Sequence, residues 1–179
     1  ALAGQQPAER DRPRVQAMRM GADEKIAIDG HLEEGAWTRA VPITDFKQFE
    51  PQNGEPGTER TEIRIIFDKD NLYIGGEFFD SDPKGMLGNQ MVRDGGLGAD
   101  DRFIWVLDPF NDSTSGYYFE TNPAGAMGDA QLVPAIGGNN FGVSQNRAWD
   151  GIWLARVRRH EQGWTVEVQI PFRTLNFDP

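Results

Sequence analysis

The C-terminal part of the chain alternates apolar and polar side chains in a way that predicts two neighbouring β-strands. In the second strand the apolar positions alternate with polar ones, Trp164, Val166, Val168 and Ile170 against Thr165, Glu167 and Gln169. Side chains of a strand point alternately to opposite faces, so this period of two predicts a sheet with one buried face. The first strand begins near 149–153 and reaches the second across the turn 160–163. Pro171 then ends the second strand, and 172–175 is predicted to form a short helical turn.

The rest of the chain is predicted to form short strands between turns rich in Gly, Asp and Asn. The clearest hairpin is expected over 61–68 and 71–80. The run 102–108 is apolar at odd and even positions alike, which predicts a central strand covered on both faces. Further elements are expected as follows: strands at 25–28, 116–122 and 126–133, and a single helical turn at 32–37.

Three segments break this pattern. The segments 82–99 and 134–148 are long and rich in Gly and Asn, and loops of that length are usually functional or disordered. We therefore expect any binding site there and on the sheet surface between them. Residues 1–14 are polar, and their start, Ala-Leu-Ala, has the small-x-small form of a signal-peptide end. They are expected to form a flexible tail, either a signal-peptide remnant or a linker, and 15–179 a single folded domain.

Regular short strands without a convincing amphipathic helix predict an all-β fold, an antiparallel, jelly-roll-like β-sandwich. The 21 glycines and 11% aromatic residues among 179 fit this class. Trp37, Trp105 and Trp164 stand in apolar alternations, so we expect them in the core rather than at a ligand. No long apolar run is present, so this chain is not expected to span a membrane.

Charge and cysteine content exclude several function classes. Acidic residues outnumber basic ones 28 to 18, for a net charge of −10. Nucleic acid is therefore excluded as a partner, because phosphate binding needs clustered Lys and Arg. The chain has no cysteine, which removes disulfides, thiol nucleophiles and thiolate metal sites.

Acidic loops raise the question of a bound calcium ion, since this ion prefers carboxylate and amide oxygens. The candidate ligands are Asp80, Asp82, Asp108, Asn111 and Asp112. None of them has the spacing of an EF-hand loop. The alternative is that they are solvated turn residues that keep the protein soluble.

Catalysis is not expected in this chain. It has neither a Gly-x-Ser-x-Gly elbow nor a His-Glu-x-x-His motif, and its two histidines, His31 and His160, lie in turn-like positions. A carboxylate pair for glycoside hydrolysis is the remaining enzymatic alternative. A hydrolase is nevertheless the least favoured hypothesis, because acidic residues have simpler roles in turns.

Several motifs together resemble family 9 carbohydrate-binding modules. They are Ile-Asp-Gly at 28–30, Glu-Gly-Ala-Trp at 34–37, Phe-Asp-Lys-Asp-Asn-Leu-Tyr-Ile at 67–74, Asn-Pro-Ala-Gly at 122–125 and Ile-Pro-Phe at 170–172. The resemblance extends from about residue 26 to the end, and implies a non-catalytic sandwich that binds an oligo- or polysaccharide. The chain is most similar to the family 9-like domain that precedes an outer-membrane β-barrel in large bacterial envelope proteins. The resemblance thus implies a longer polypeptide, on the periplasmic or cell-surface side of the outer membrane.

The resemblance also implies a kind of site: two exposed aromatic rings that clamp a glycan end, polar side chains at its hydroxyls, and often a structural calcium ion. The candidates here are the aromatic residues Phe141, Trp149 and Trp153, with Arg93, Glu120, Asn122 and Gln131 as polar partners. Trp149 is preferred, because it follows the second loop and precedes an Asp-Gly turn. It could equally be a packing lid. The alternative function is a structural domain that docks on its own barrel or on a partner protein.

Overall fold

The computed structural model describes residues 14–135 and 142–176. These residues form nine strands, one α-helix and one 3-10 helix. The strands are β1 (Met18–Arg19), β2 (Thr61–Phe67), β3 (Asn71–Phe79), β4 (Phe103–Leu107), β5 (Gly116–Thr121), β6 (Met127–Pro134), β7 (Val143–Asn146), β8 (Leu154–His160) and β9 (Gly163–Pro171). Helix α1 spans Gly35–Arg39, and the 3-10 helix spans Phe172–Leu175.

The strands pair into two sheets. One has five strands in the order β1-β2-β3-β9-β8, and the other has four in the order β4-β5-β6-β7. All pairs are antiparallel except the short parallel pair of β1 with β2. The inner faces of the two sheets share one hydrophobic core. This architecture confirms the predicted β-sandwich.

The core between the sheets is dominated by aromatic rings. Trp105 stacks on Phe119 with ring centroids 5.5 Å apart, and meets Trp153 edge-on at 5.6 Å. On the facing sheet Phe78 stacks on Trp164 at 4.2 Å. Large rings bury much apolar area per residue, so this cluster supplies much of the stability of the sandwich. The predicted burial of Trp105 and Trp164 is confirmed.

A second apolar cluster covers the outer face of the five-stranded sheet. It contains Met20, Ala36, Trp37, Ala40, Ile66 and Tyr73. The N-terminal segment that supplies it is held by Glu167, whose carboxylate accepts hydrogen bonds from the backbone of Asp29 and Gly30 and from Trp37 Nε1, each 2.8 Å long. The Asp-Gly turn and the tryptophan of the recognised motifs therefore meet at one buried carboxylate. The predicted burial of Trp37 is confirmed.

The hairpin of β2 with β3, the strands β5, β6 and β9, and the helical turn after Pro171 agree with the sequence predictions. Three predictions were wrong. Residues 25–28 do not form a strand; Ile26 and Ile28 instead pack on the outer cluster. The second loop contains β7, which pairs with β6. Strand β4 lies at the edge of its sheet, not at its centre.

The position of β4 has a consequence for the surface. Its inner residues pack in the core, but Ile104 and Val106 point outward and remain 39% and 51% exposed. The apolar run predicts burial on both faces of the strand, whereas here one of the two faces is open. No helix of the described residues is long and apolar enough to cross a membrane.

Candidate ligand-binding face

The outer face of the four-stranded sheet is open to solvent, whereas the outer face of the five-stranded sheet is covered. We call it the open face. Strand register and contacts place these side chains on it: Arg102, Ile104, Val106, Tyr118, Glu120, Gly128, Ala130, Leu132, Val143, Gln145 and Arg147. Ile104, Glu120 and Gly128 form one row across β4, β5 and β6. A charged residue therefore stands between an exposed aliphatic side chain and a glycine.

Glu120 is the centre of the open face. Its side chain is only 1% exposed, and its carboxylate accepts hydrogen bonds from Tyr118 Oη at 2.8 Å, Arg102 Nη1 at 3.0 Å and Arg147 Nη1 at 3.4 Å. A Cβ atom on Gly128 would lie 2.9 Å from Cγ of Glu120, closer than real contacts allow. The glycine therefore lets the glutamate lie flat against the sheet.

The two arginines approach Glu120 from opposite edges of the sheet. Arg102 precedes β4 and Arg147 follows β7, and their side chains remain 36% and 45% exposed. The Arg147 guanidinium lies 5.7 Å from the ring centre of Tyr118, within the range of a cation–π contact. Burial and the hydrogen bond to Glu120 raise the pKa of Tyr118 to about 12, so its hydroxyl stays a donor at neutral pH.

The loop between β3 and β4 forms a wall at one end of the sheet. Strand β7 pairs only with the second half of β6, and Asp94 occupies the place beside the first half. Its backbone N–H donates to Met127 at 2.8 Å, and its carboxylate accepts the N–H of Asp129 at 3.2 Å. Backbone N–H groups of Asn89 and Gln90 donate to Asp100 and lower its pKa. The wall is therefore held by hydrogen bonds to the sheet and within itself.

Arg93 fastens this loop from the inner side. Its Nη2 donates to Asp129 at 2.6 Å, to Asp150 at 2.7 Å and to the carbonyl of Gly151 at 3.0 Å. Asp129 is fully buried and also accepts Trp153 Nε1 at 2.8 Å. These contacts give Arg93 and Trp153 structural roles in one polar network.

Neither of the two predicted tryptophans lies on the open face. Trp153 is buried in the core. Trp149 is half-buried, with its ring centre 4.9 Å from that of Tyr117 and 6.1 Å from that of Phe119, both inner-face rings. It therefore closes the core at the side opposite Glu120. Phe141 lies outside the described residues.

The predicted polar residues are divided between the two sides. Asn122 is buried, and its amide donates to the carbonyl of Gln90 and to Asp100, while its oxygen accepts two backbone N–H groups of the following turn. Gln131 pairs with Tyr117 across the strands, so it faces inward. Of the six predicted binding residues that the structure describes, only Glu120 is on the open face.

The two arginines and the aliphatic pair Ile104 and Val106 are not among the residues that the sequence predicts for a binding site. One signal for them was present. An exposed edge strand seldom carries apolar residues on both faces, so the apolar run 102–108 was itself a sign of an unusual surface.

Three of the five proposed calcium ligands, Asp80, Asp108 and Asp112, accept hydrogen bonds within turns. Asp108 accepts the backbone N–H groups of Asp112 and Ser113, and Asp80 accepts that of Asp82. Hydrogen bonds from the hydroxyl and backbone of Ser115 lower the pKa of Asp112 to about 2. Among the described residues no three His, Cys, Asp or Glu side chains are grouped to hold a metal. These acids act as turn residues, and calcium binding stays a prediction without support from this geometry.

Comparison with known proteins gives relatives in structure only. No family model and no curated sequence matches the chain. A family 9 carbohydrate-binding module from Caldicellulosiruptor kristjanssonii in complex with glucose superimposes with a TM-score of 0.56 at 15% identity, over 93% of this chain and 71% of that one. The fold is that of a family 9 module.

Two further structures agree. The same kind of module from that organism in complex with cellotriose gives a TM-score of 0.58 at 15% identity, over 93% of this chain and 70% of that one. A candidate carbohydrate-binding protein from Bacteroides uniformis ATCC 8492 gives a TM-score of 0.61 at 12% identity, over 88% of this chain and 72% of that one. At these identities the likeness is one of fold.

Proposed function

We propose that this domain is a non-catalytic carbohydrate-binding module that holds an oligo- or polysaccharide on the open face. The observation that carries the proposal is the set of two half-exposed arginines fixed by a buried glutamate beside exposed aliphatic side chains. It occurs in a fold whose solved relatives hold glucose and cellotriose. The larger context, an envelope protein with a barrel, is part of the proposal and rests on the sequence resemblance.

The chemistry of the open face suits a sugar. A pyranose ring presents C–H groups on its faces and hydroxyls at its edge. Ile104 and Val106 supply apolar surface for the first, and the guanidinium groups of Arg102 and Arg147 supply donors for the second. The side-chain hydroxyl of Tyr118 is committed to Glu120, so it fixes the glutamate rather than the ligand.

The same face argues against hydrolysis. Glycosidases use two carboxyl groups on either side of the bond they cleave. Glu120 is the single acidic side chain among the described residues of the open face, and its oxygens accept hydrogen bonds from Tyr118 and two arginines. A carboxylate held in this way is a structural anion rather than an acid or a nucleophile.

The test is calorimetric titration of the domain with cellotriose and with longer soluble glycans, comparing the variants Val106→Asp and Leu154→Asp. Both positions are half exposed, at 51% and 50%, but they belong to different sheets. We expect Val106→Asp to abolish saturable binding and Leu154→Asp to leave it unchanged. Equal effects of the two variants, or no binding to any glycan by the unchanged domain, would contradict the proposal.

Docking on a protein is a second candidate function, and a separate observation favours it. Ile152 and Leu154 are exposed beside a cavity of about 650 Å³ that is also lined by Lys69, Gln169 and Arg173. Exposed aliphatic side chains beside a depression with a polar rim are typical of protein contacts. For this function, Leu154→Asp should weaken protein binding and Val106→Asp should be the control. The measurement is binding of the domain to the other domains of the full-length protein.

A further inference from the structure

We infer that the open face selects negatively charged saccharides, those that carry carboxylate or sulfate groups, over neutral ones. The inference rests on the proposed function and concerns the same face. It adds the ligand's charge, which the fold comparison does not supply.

The first step is a charge count. Among the described residues of the open face, the ionisable side chains are Arg102, Arg147, Glu120 and Tyr118, and Tyr118 stays neutral because its pKa is raised to about 12. One glutamate offsets one arginine, so the face keeps one positive charge. The whole chain carries a net charge of −10. The described strand residues of the open face thus carry one more positive than negative charge on a protein that is negative overall, and a local excess of this sign favours an anionic ligand.

The second step concerns hydrogen-bond donors. A guanidinium carries five N–H donors in a planar fork. Within the described part of the chain, Arg102 and Arg147 each make one hydrogen bond, through Nη1 to Glu120. Both side chains are more than a third exposed. Donors therefore remain for a ligand, and the fork geometry matches a carboxylate or a sulfate better than a single hydroxyl.

The third step is the role of Glu120. It is 1% exposed and lies between the arginines, so it does not reach a ligand on the surface. It is a positioning residue that holds two cations over one site. The neighbouring acids Asp100 and Asp101 do not position the arginines. Their carboxylates instead accept backbone N–H groups of the wall, at Asn89 and Gln90 for Asp100 and at Leu87 for Asp101.

The experiment compares three ligands of similar length by calorimetry: cellotriose, trigalacturonate and a sulfated trisaccharide. For the unchanged domain at low salt we expect at least about tenfold tighter binding of one or both acidic ligands. Affinity for the acidic ligand should fall when salt is raised from 50 to 300 mM, while any cellotriose affinity should hold. The carboxylate and sulfate arms show which anion is preferred.

The variants Arg102→Gln and Arg147→Gln should each weaken the acidic ligand about tenfold and remove most of its salt dependence. Arg156→Gln is the matched control, because the one hydrogen bond of this exposed arginine on β8 within residues 14–135 and 142–176 goes to the neighbouring carbonyl of Ala155. This control should change neither the affinity for the acidic ligand nor its salt dependence. Thermal melting of every variant checks that the fold is retained.

The outcomes separate the two proposals. If cellotriose binds as tightly as the acidic ligands, the charge preference is overturned and the proposed function stands. If no saccharide binds, both are overturned. Acidic binding that persists in the double variant Arg102→Gln/Arg147→Gln, or that Arg156→Gln weakens equally, overturns the location on the open face.

Discussion

Two buried glutamates mark the difference between the two sheets. Glu120 and Glu167 each stand on the outer side of a sheet, and each is at most 1% exposed. Glu167 accepts hydrogen bonds from neutral donors, two backbone N–H groups and Trp37 Nε1, all in the covering N-terminal layer. Glu120 accepts hydrogen bonds from two half-exposed arginines and a tyrosine.

The partners show what each carboxylate does. Donors that come from a covering layer attach that layer to the sheet, so Glu167 is a structural residue. Donors that are themselves charged and exposed remain available to a ligand, so Glu120 prepares a surface. Burial raises the pKa of Glu167, which is the cost of holding a carboxylate among neutral groups.

The largest effect is expected for Glu167→Ala. This change leaves three donors, two of them buried, without an acceptor and removes packing, at a cost of about 3–5 kcal/mol in the free energy of unfolding. Urea unfolding followed by tryptophan fluorescence measures it. Glu161→Ala, in an exposed turn, is the control and should stay within about 0.5 kcal/mol. A similar loss in both variants would show that Glu167 does not attach the N-terminal layer.

Trp149→Ala separates the inner side of the four-stranded sheet from the open face. The ring packs on Tyr117 and Phe119, so its loss should cost about 2–3 kcal/mol, less than for a fully buried tryptophan. Glycan binding by the folded variant should be unchanged, because the ring lies on the inner side. Loss of binding with unchanged stability would instead make Trp149 the sugar platform that the sequence suggested.

Glu120→Ala should cost only about 1–2 kcal/mol in stability, because the two arginines can be hydrated when their acceptor is lost and the Tyr118 hydroxyl is the one buried donor among the three. Glycan affinity should nevertheless fall, since nothing then holds the guanidinium groups over one site. Urea unfolding and calorimetry are made on the same sample. A stability loss as large as that of Glu167→Ala would remove the distinction between the two glutamates.

The pH dependence of Glu167→Gln tests the raised pKa. As pH rises through the ordinary value of 4.5, the unfolded chain loses this proton while the folded chain still holds it. The wild-type free energy of unfolding, relative to the Gln variant, should therefore fall with rising pH until the folded pKa is passed. Groups with lowered pKa, such as Glu62 and Asp68, act in the opposite direction, but they cancel in the difference. A difference that is flat from pH 4 to 7 would contradict the shift.

The smallest effect on stability is expected for Gly128→Ala, below about 1 kcal/mol. Its Cβ would push the Glu120 side chain away from the sheet, so glycan affinity should fall several-fold. Gly96→Ala is the matched control, because its Cβ would meet no atom within 4 Å. Equal affinities of the two variants would show that the position of Glu120 is unimportant for binding.

Much of the fold could be predicted because the signals are local. The alternation around Val166 and the Asp68–Asn71 turn predict strands and a hairpin without reference to the rest of the chain. The site could not be predicted in this way. Arg102, Glu120 and Arg147 are separated by 18 and 27 residues, and only the pairing of β4, β5, β6 and β7 brings them together.

The sequence by itself determined most of the strands, the sandwich and the burial of Trp37, Trp105 and Trp164, because period and propensity act within a few residues. The tertiary structure decided which face of each sheet is covered. Ile104 and Ile66 are both aliphatic strand residues, yet the N-terminal layer covers Ile66 and leaves Ile104 exposed. Which sheet face is covered depends on where a distant segment packs. All apolar surfaces of the chain compete for burial, so the outcome does not follow from any local sequence pattern.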